Sequence, residues 1–227
     1  MDNFIVGDNE ATLRALAAWL SFDPQYRILH LWGAAASGKT HLMQAHYRQI
    51  VNPEALLDAP QRDCLYLSKH SSLDDFDLAQ EFDAVMIDGI ETLSQAQQIA
   101  AFQVYNDIKT TPQKRWLSSS RAAPRQIVQL GVRDDLATRL SWGMVQGVQG
   151  LSDEAIKTVL FLHAQLLGFT LSPDVAHWML WHLPRDAASQ RDALDALDYY
   201  ALQHKKPLTL HTVRAWYAQN NPSPSLI

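Results

Sequence analysis

Cysteine is almost absent from this chain: Cys64 stands alone among 227 residues. That excludes an internal disulfide framework and fits a reducing compartment. It lies in the apolar run Asp63-Cys64-Leu65-Tyr66-Leu67, the setting of buried filler rather than of a reactive thiol. Also missing is any uninterrupted apolar stretch of about 18 residues, the length a membrane-spanning helix needs, and no basic segment followed by an apolar core opens the N-terminus. The cytoplasm is therefore the expected compartment. An excess of positive charge is lacking as well. With a formal net charge of -5 and a pI of 5.9, the chain is not expected to grip a nucleic-acid backbone over its whole surface, although a local basic patch remains compatible. The histidines do not recur at metal-ligand spacings: His41 and His46, like His177 and His182, are five apart, off a shared helical face.

What is present is an ordinary globular composition, 47% hydrophobic and 19% charged, in a chain long enough for one large domain or a base with a small appendage. One stretch organises the rest. Gly33-Ala34-Ala35-Ala36-Ser37-Gly38-Lys39-Thr40 fits the phosphate-binding pattern G-x-x-x-x-G-K-[ST]. The strand-like run Ile28-Leu29-His30-Leu31-Trp32 enters it, and the apolar-periodic segment His41-Leu42-Met43-Gln44-Ala45 leaves it as a helix, the order the motif requires. Gly33 and Gly38 let the backbone N–H groups and the helix N-terminus face phosphate oxygens. Lys39 supplies a point charge, and the Thr40 hydroxyl is suited to magnesium. Ser37 lies within the same loop. The competing reading is a plain glycine-bounded turn.

Before the loop, Leu13, Leu16, Ala17 and Leu20 recur at helical spacing until Asp23-Pro24 stops them. After it, strands are expected at 63–68, 83–88, 115–120 and 144–149, with helices at 94–109 and 133–140 between them. The run Asp83-Ala84-Val85-Met86-Ile87-Asp88 is an apolar strand ending in an acid, 48 residues beyond Thr40, and aims Asp88 at a magnesium shell. Ser119 and Ser120 end the next strand, where a hydroxyl either meets a terminal phosphate or begins a loop. The alternation predicts an α/β base over 1–150 with a parallel sheet covered on both faces.

Beyond Gly150 only helices are expected, a lid over 151–220 followed by a tail at 221–227. Ser152 caps the first of these helices, with Ile156, Val159, Leu160, His163 and Leu167 sharing a face. Ser172-Pro173 opens the second. Ser189 opens the third, with Leu194, Leu197 and Ala201 inward, and Thr209 opens a fourth carrying Val213 and Trp216.

A nucleotide base followed by a small helical lid resembles the AAA+ ATPases, and several stretches resemble their DnaA branch. These are Asn3-Phe4-Ile5-Val6-Gly7-Asp8-Asn9, Gly38-Lys39-Thr40-His41-Leu42 and Leu136-Ala137-Thr138-Arg139-Leu140-Ser141-Trp142-Gly143. The resemblance implies an adenine nucleotide, ADP or ATP, bound with Mg2+, with Phe4 and Val6 beside the adenine. It also implies that Arg139 is an arginine finger offered to a neighbouring subunit's nucleotide, and that Arg191 is a lid arginine reaching the phosphates. A positive charge just inside a helix start makes sense there if an anion lies opposite; the plainer alternative for Arg139 is an ion pair with Asp134 or Asp135.

With no helix-turn-helix domain following the lid, the chain is similar to the Hda family of DnaA regulators, and the resemblance implies a negative regulator of replication initiation. Such a protein works with the polymerase sliding clamp to make DnaA hydrolyse its ATP, so DnaA and the clamp are the partners implied, a second copy of the chain being the alternative neighbour. Two departures stand out. The short Gln-Leu clamp-docking peptide of that family is not visible before Met1-Asp2-Asn3-Phe4. Gly89 stands where DnaA has a second acid, Ser120 replaces an acid near the first sensor, and Glu91 falls two residues late, so slow intrinsic hydrolysis is expected. The rival expectation is an autonomous ATPase of the helicase-loader type that binds single-stranded DNA, disfavoured by the acidic pI and the Trp-Gly box.

Overall fold

The protein was described from a computed structural model covering residues 7–51 and 63–220. Five short strands, β1 (Ile28–Trp32), β2 (Cys64–Leu67), β3 (Ala84–Ile87), β4 (Arg115–Ser120) and β5 (Met144–Gly147), form one sheet in the order β2-β3-β4-β1-β5. Every pairing is parallel. Parallel neighbours need crossover connections, and the intervening helices supply them: α1 (Glu10–Leu20) before the sheet, then α2 (Lys39–Val51), α3 (Leu73–Asp77), α4 (Gln95–Thr110) and α5 (Asp134–Leu140).

Side chains on a strand alternate between faces, and the two faces of this sheet bury separate clusters. Val85, Ile87 and Trp116 pack with Phe76, Tyr105 and Leu136 of α3, α4 and α5. Leu29, Met86 and Leu117 pack with Leu16, Trp19 and Met43 of α1 and α2 on the other face. Cys64 is buried in that second cluster, and burial pushes its thiol up to about 12, which leaves it inert filler. The inward face of α1 differs from the sequence expectation: Thr12, Ala15, Leu16 and Trp19 are buried, whereas Ala17 is exposed and Leu13 and Leu20 are half-buried. Trp19 turns the helix, because its indole N–H donates to the Trp116 carbonyl at 3.0 Å and its ring is fully buried in the cluster beside the sheet. Among the described residues no helix is long and apolar enough to cross a membrane.

The chain divides into two compact units, Met1–Gly150 and Leu151–Ile227. The second is helical: α6 (Asp153–Leu166), α7 (Pro173–His182), α8 (Ala187–Gln203) and α9 (Leu210–Asn220), closing on Ile156, Leu160, Val175, Met179, Leu194, Leu197 and Val213. Two details depart from expectation. On α6 the buried face is Ile156, Leu160 and Ala164. Leu167 is exposed, Val159 is half-buried, and His163 reaches out to the Asp195 carboxylate at 2.6 Å. The start of α8 is set by Asp186 rather than Ser189: the Asp186 carboxylate accepts the Ser189 backbone N–H at 2.9 Å, and an acid caps a helix start better than an internal serine.

One polar thread crosses the apolar base. His30, fully buried at the centre of β1, faces Ser118 and Ser120 of β4. Trp116 Nε1–H can only donate, so Ser118 Oγ accepts it at 2.8 Å and passes its own proton to His30 Nδ1, also at 2.8 Å. The remaining ring N–H, on Nε2, then donates to Ser120 Oγ at 2.8 Å, and Ser120 donates to the Ala122 carbonyl at 2.6 Å. This direction of donation fixes a neutral imidazole, and burial correspondingly drives its pKa from 6.5 down to about 3. The unfolded chain takes up a proton near pH 6.5 that the folded one refuses until far lower. The contribution of this group is therefore complete above pH 6.5 and is lost as pH falls toward 3. Between pH 6.5 and about pH 5, the unfolding free energy of wild type should fall more steeply than that of His30→Gln, the difference approaching 1.4 kcal/mol per pH unit. Urea titrations at several pH values check this, and equal slopes would contradict the neutral buried imidazole.

Candidate functional site

The carboxyl ends of β1, β3 and β4 converge where β1 turns into α2, the edge at which open parallel sheets bind ligands. Trp32 ends β1, and its carbonyl accepts Val148 N–H at 2.6 Å while Gly33 N–H donates to the Ser120 carbonyl at 3.2 Å. These bonds pin the loop start between β4 and the segment after β5. A Cβ on Gly33 would lie 2.2 Å from the Val148 carbonyl oxygen, so a side chain there cannot coexist with the loop path. Ala36 and Gly38 take left-handed backbone angles, φ 59° and 95°, which turns the chain into α2. The side chain of Lys39 folds back across the loop. Its ammonium donates to the Gly33 carbonyl at 2.7 Å, the Ala34 carbonyl at 2.8 Å and Ser37 Oγ at 3.1 Å. Desolvation lowers its pKa, opposed by the Glu91 and Asp88 carboxylates.

Asp88, just past β3, collects the other polar groups. Its Oδ2 accepts from Thr40 Oγ1 at 2.7 Å and from the Tyr66 hydroxyl at 3.1 Å, and its Oδ1 accepts from Ser119 Oγ. Gly89, whose φ of 71° puts it in the left-handed region, donates its N–H to Ser119 Oγ at 2.9 Å. Burial and the Asp88 charge together push the Tyr66 phenol upward. A cavity of about 400 Å³ opens over these groups, lined among others by Lys39, Thr40, Asp88, Ser119, Glu91 and Arg121. Oxygen donors from Thr40, Asp88 and Ser119 side by side suit a hard divalent cation. Among the described residues no cluster of three His, Cys, Asp or Glu side chains forms a metal site of the protein's own.

The sequence-predicted residues separate into those gathered here and those elsewhere. Gly33, Ser37, Gly38, Lys39, Thr40, Asp88 and Ser119 meet at this edge. Ser120 does not, because its hydroxyl is engaged with His30 and Ala122 on the other side of β4. Phe4 and Val6 lie outside the described residues. Arg191 belongs to the second unit; with α8 starting at Ala187 it stands more than a turn inside the helix, so a start-of-helix penalty on its charge does not apply there. Its half-buried side chain leaves Nε without a hydrogen-bond partner among the described residues. Sequence reasoning missed Tyr66 and Arg121. Alternation along β2 puts Tyr66 on the same face as the buried Cys64 but only half-buried, a weak signal, and Arg121 directly follows Ser120.

Arg139 lines no part of the cavity. It sits in the last turn of α5, where its carbonyl accepts the Tyr105 hydroxyl at 2.8 Å. Its guanidinium lies 4.3 Å from the Trp142 ring centroid and 5.5 Å from that of Phe102. The anticipated alternative of an ion pair with Asp135 is not what the fold adopts, since that carboxylate is held by Arg133 at 2.6 Å. Gly143, which follows Trp142, lets the chain pass β1: a Cβ there would lie 2.6 Å from the Ile28 carbonyl oxygen.

Residues 1–147 match the family described as the bacterial DnaA ATPase domain. The chain belongs to that family. Its residues 153–216 match the lid domain of Hda, so this DnaA-related protein has the AAA+ fold with a lid of the Hda type. An uncharacterised protein of Haemophilus influenzae is 30% identical over 218 residues, covering 94% of this chain and 91% of that protein. Among solved structures, domain III of Thermotoga maritima DnaA superposes with a TM-score of 0.76 at 19% identity, over 96% of this chain and 95% of that one. The AMPPCP-bound DnaA of Aquifex aeolicus superposes with a TM-score of 0.70 at 18% identity, over 89% of this chain and 65% of that one.

Two close approaches, one at each end of β1, make a stability test of the loop path. Gly33→Ala and Gly143→Ala should each lower the unfolding free energy by about 1 to 3 kcal/mol, the usual cost of overpacking. Gly150→Ala, whose Cβ would meet nothing within 4 Å, should change it by less than about 0.5 kcal/mol. Denaturant unfolding checks the three variants together.

Proposed function

We propose that this DnaA-related protein is a negative regulator of replication initiation that binds an adenine nucleotide, ADP as the resident form, and stimulates ATP hydrolysis by DnaA in concert with the sliding clamp. Backbone N–H groups of 33–40 would face the phosphates, Lys39 would exchange its loop carbonyls for phosphate oxygens, and Thr40 with Asp88 would hold Mg2+. The metal, when bound, screens the charge of the phosphate chain. Ser119, already bonded to Asp88, would keep that carboxylate oriented.

The observation that carries the regulatory reading is the placement of Arg139. Its charge is absent from the cavity of its own chain and is propped on the ring of Trp142, itself 57% exposed. A guanidinium held on an aromatic face keeps a defined direction without a carboxylate to neutralise it. Directed at the γ-phosphate held by a DnaA neighbour, it would offset the charge that grows as the bond to that phosphoryl group loosens. Intrinsic turnover should be slow, since Gly89 has no carboxylate to orient water.

The test mixes the protein with clamp and ATP-loaded DnaA and follows phosphate release. Arg139→Ala should abolish the stimulation, a loss of roughly 10³-fold or more in the step it assists, and Arg139→Lys should restore little because an ammonium lacks the planar fork. Stimulation that survives Arg139→Ala undiminished refutes the assignment.

A further inference from the structure

Two charged residues in the cavity play no part in the site so far. Glu91, in the turn after β3, is almost wholly enclosed, its side chain only 7% exposed, and its Oε2 is buried with no hydrogen-bond partner among the described residues. Its ion-pair partner among the described residues is Arg121, whose Nε stands 3.4 Å from Glu91 Oε1. That contact is long, comes from a single nitrogen, and is not a hydrogen bond. The Arg121 side chain is itself 62% exposed. Solvent screening makes such a pair weak, and among the described residues nothing else engages the rest of the guanidinium.

The backbone that carries Arg121 is fixed by the His30 relay. Ser120, directly before it, donates to the Ala122 carbonyl directly after it, and Ser120 in turn receives the His30 N–H. Arg121 is therefore an exposed, weakly paired side chain on an anchored turn. It lines the same cavity as Ser119, Asp88 and Thr40, groups that in a phosphate loop lie beyond the backbone cradle, toward the end of the phosphate chain.

The geometry points to Arg121 as a phosphate-sensing cation acting within its own chain, parked on Glu91 in the absence of a terminal phosphate and transferred to that phosphate when a nucleoside triphosphate binds. This inference rests on the nucleotide-binding reading above. A dianionic phosphoryl group offers the guanidinium two charge-assisted bonds in place of one misaligned contact. A diphosphate ends short of that position and leaves Arg121 on Glu91. The pair would then let the site tell a triphosphate from the resident diphosphate, a distinction that the loop alone, which embraces the phosphates common to both, does not supply.

Affinities for ADP and for the non-hydrolysable triphosphate AMPPCP, both with Mg2+, test this on the full chain by displacement of a fluorescent nucleotide. Arg121→Ala should weaken AMPPCP about tenfold while leaving ADP within about twofold, the size expected for losing one partly exposed charge-assisted contact. Glu91→Gln should tighten AMPPCP more than ADP, because the parking site is gone. Equal weakening of both ligands by Arg121→Ala, or no weakening of either, overturns the inference while leaving the nucleotide site standing. A wild-type chain that binds neither ligand overturns the nucleotide reading and this inference with it.

Discussion

One carboxylate ties together the candidate site at the carboxyl edge of the sheet. Asp88 projects from the end of β3, flanked in the sheet by β2 and β4, and its two oxygens accept hydroxyls from Tyr66 on β2, Ser119 on β4 and Thr40 on α2. The first two come from adjacent strands. Thr40 arrives from the far side of β4, delivered by the loop that follows β1. The contact therefore closes only if strand order, loop path and helix start are all correct. Hydroxyls satisfy the carboxylate as neutral donors without adding charge, which leaves it free to act as an anion toward a metal.

Charge in the cavity is balanced before any ligand arrives. Lys39 and Arg121 face Asp88 and Glu91 across one space of about 400 Å³. Each cation has a provisional partner: the loop's own carbonyls for Lys39, and Glu91 for Arg121. Provisional partners limit the desolvation cost of a nearly buried ammonium, and they can be exchanged for phosphate oxygens without moving the backbone. The rigid parts are elsewhere. The His30 relay ties β1 to β4, and Gly143 and Gly33 are closely packed at the start of β1 and just past its end.

Three arginines follow different physical logics. Arg121 faces an acid inside the cavity, Arg139 rests on an aromatic ring away from it, and Arg191 sits in the helical unit with one donor unsatisfied among the described residues. An arginine with a strong carboxylate partner, such as Arg133 with Asp135, is neutralised and available for little else. Those with weak or aromatic partners retain a field that an anion elsewhere can use.

The sequence was sufficient for the order of elements, the glycine loop between β1 and α2 and the place of Asp88 just past β3, because each is a local pattern: an apolar run of fixed length, glycines at fixed offsets, an acid at a strand end. It was also sufficient for the parallel sheet, since alternating strands and helices leave few other arrangements. What it left open depended on orientation and distance. The inward face of α1 turned on Trp19 finding the Trp116 carbonyl, and Ser119 was told from Ser120 only by which face of β4 meets Asp88 and which meets His30. Tyr66 and Arg121 entered the site because β2 and β4 flank β3. Hydrophobic periodicity encodes which residues turn inward along one element, whereas the pairing of polar groups from separate elements is decided by how the strands are ordered in space.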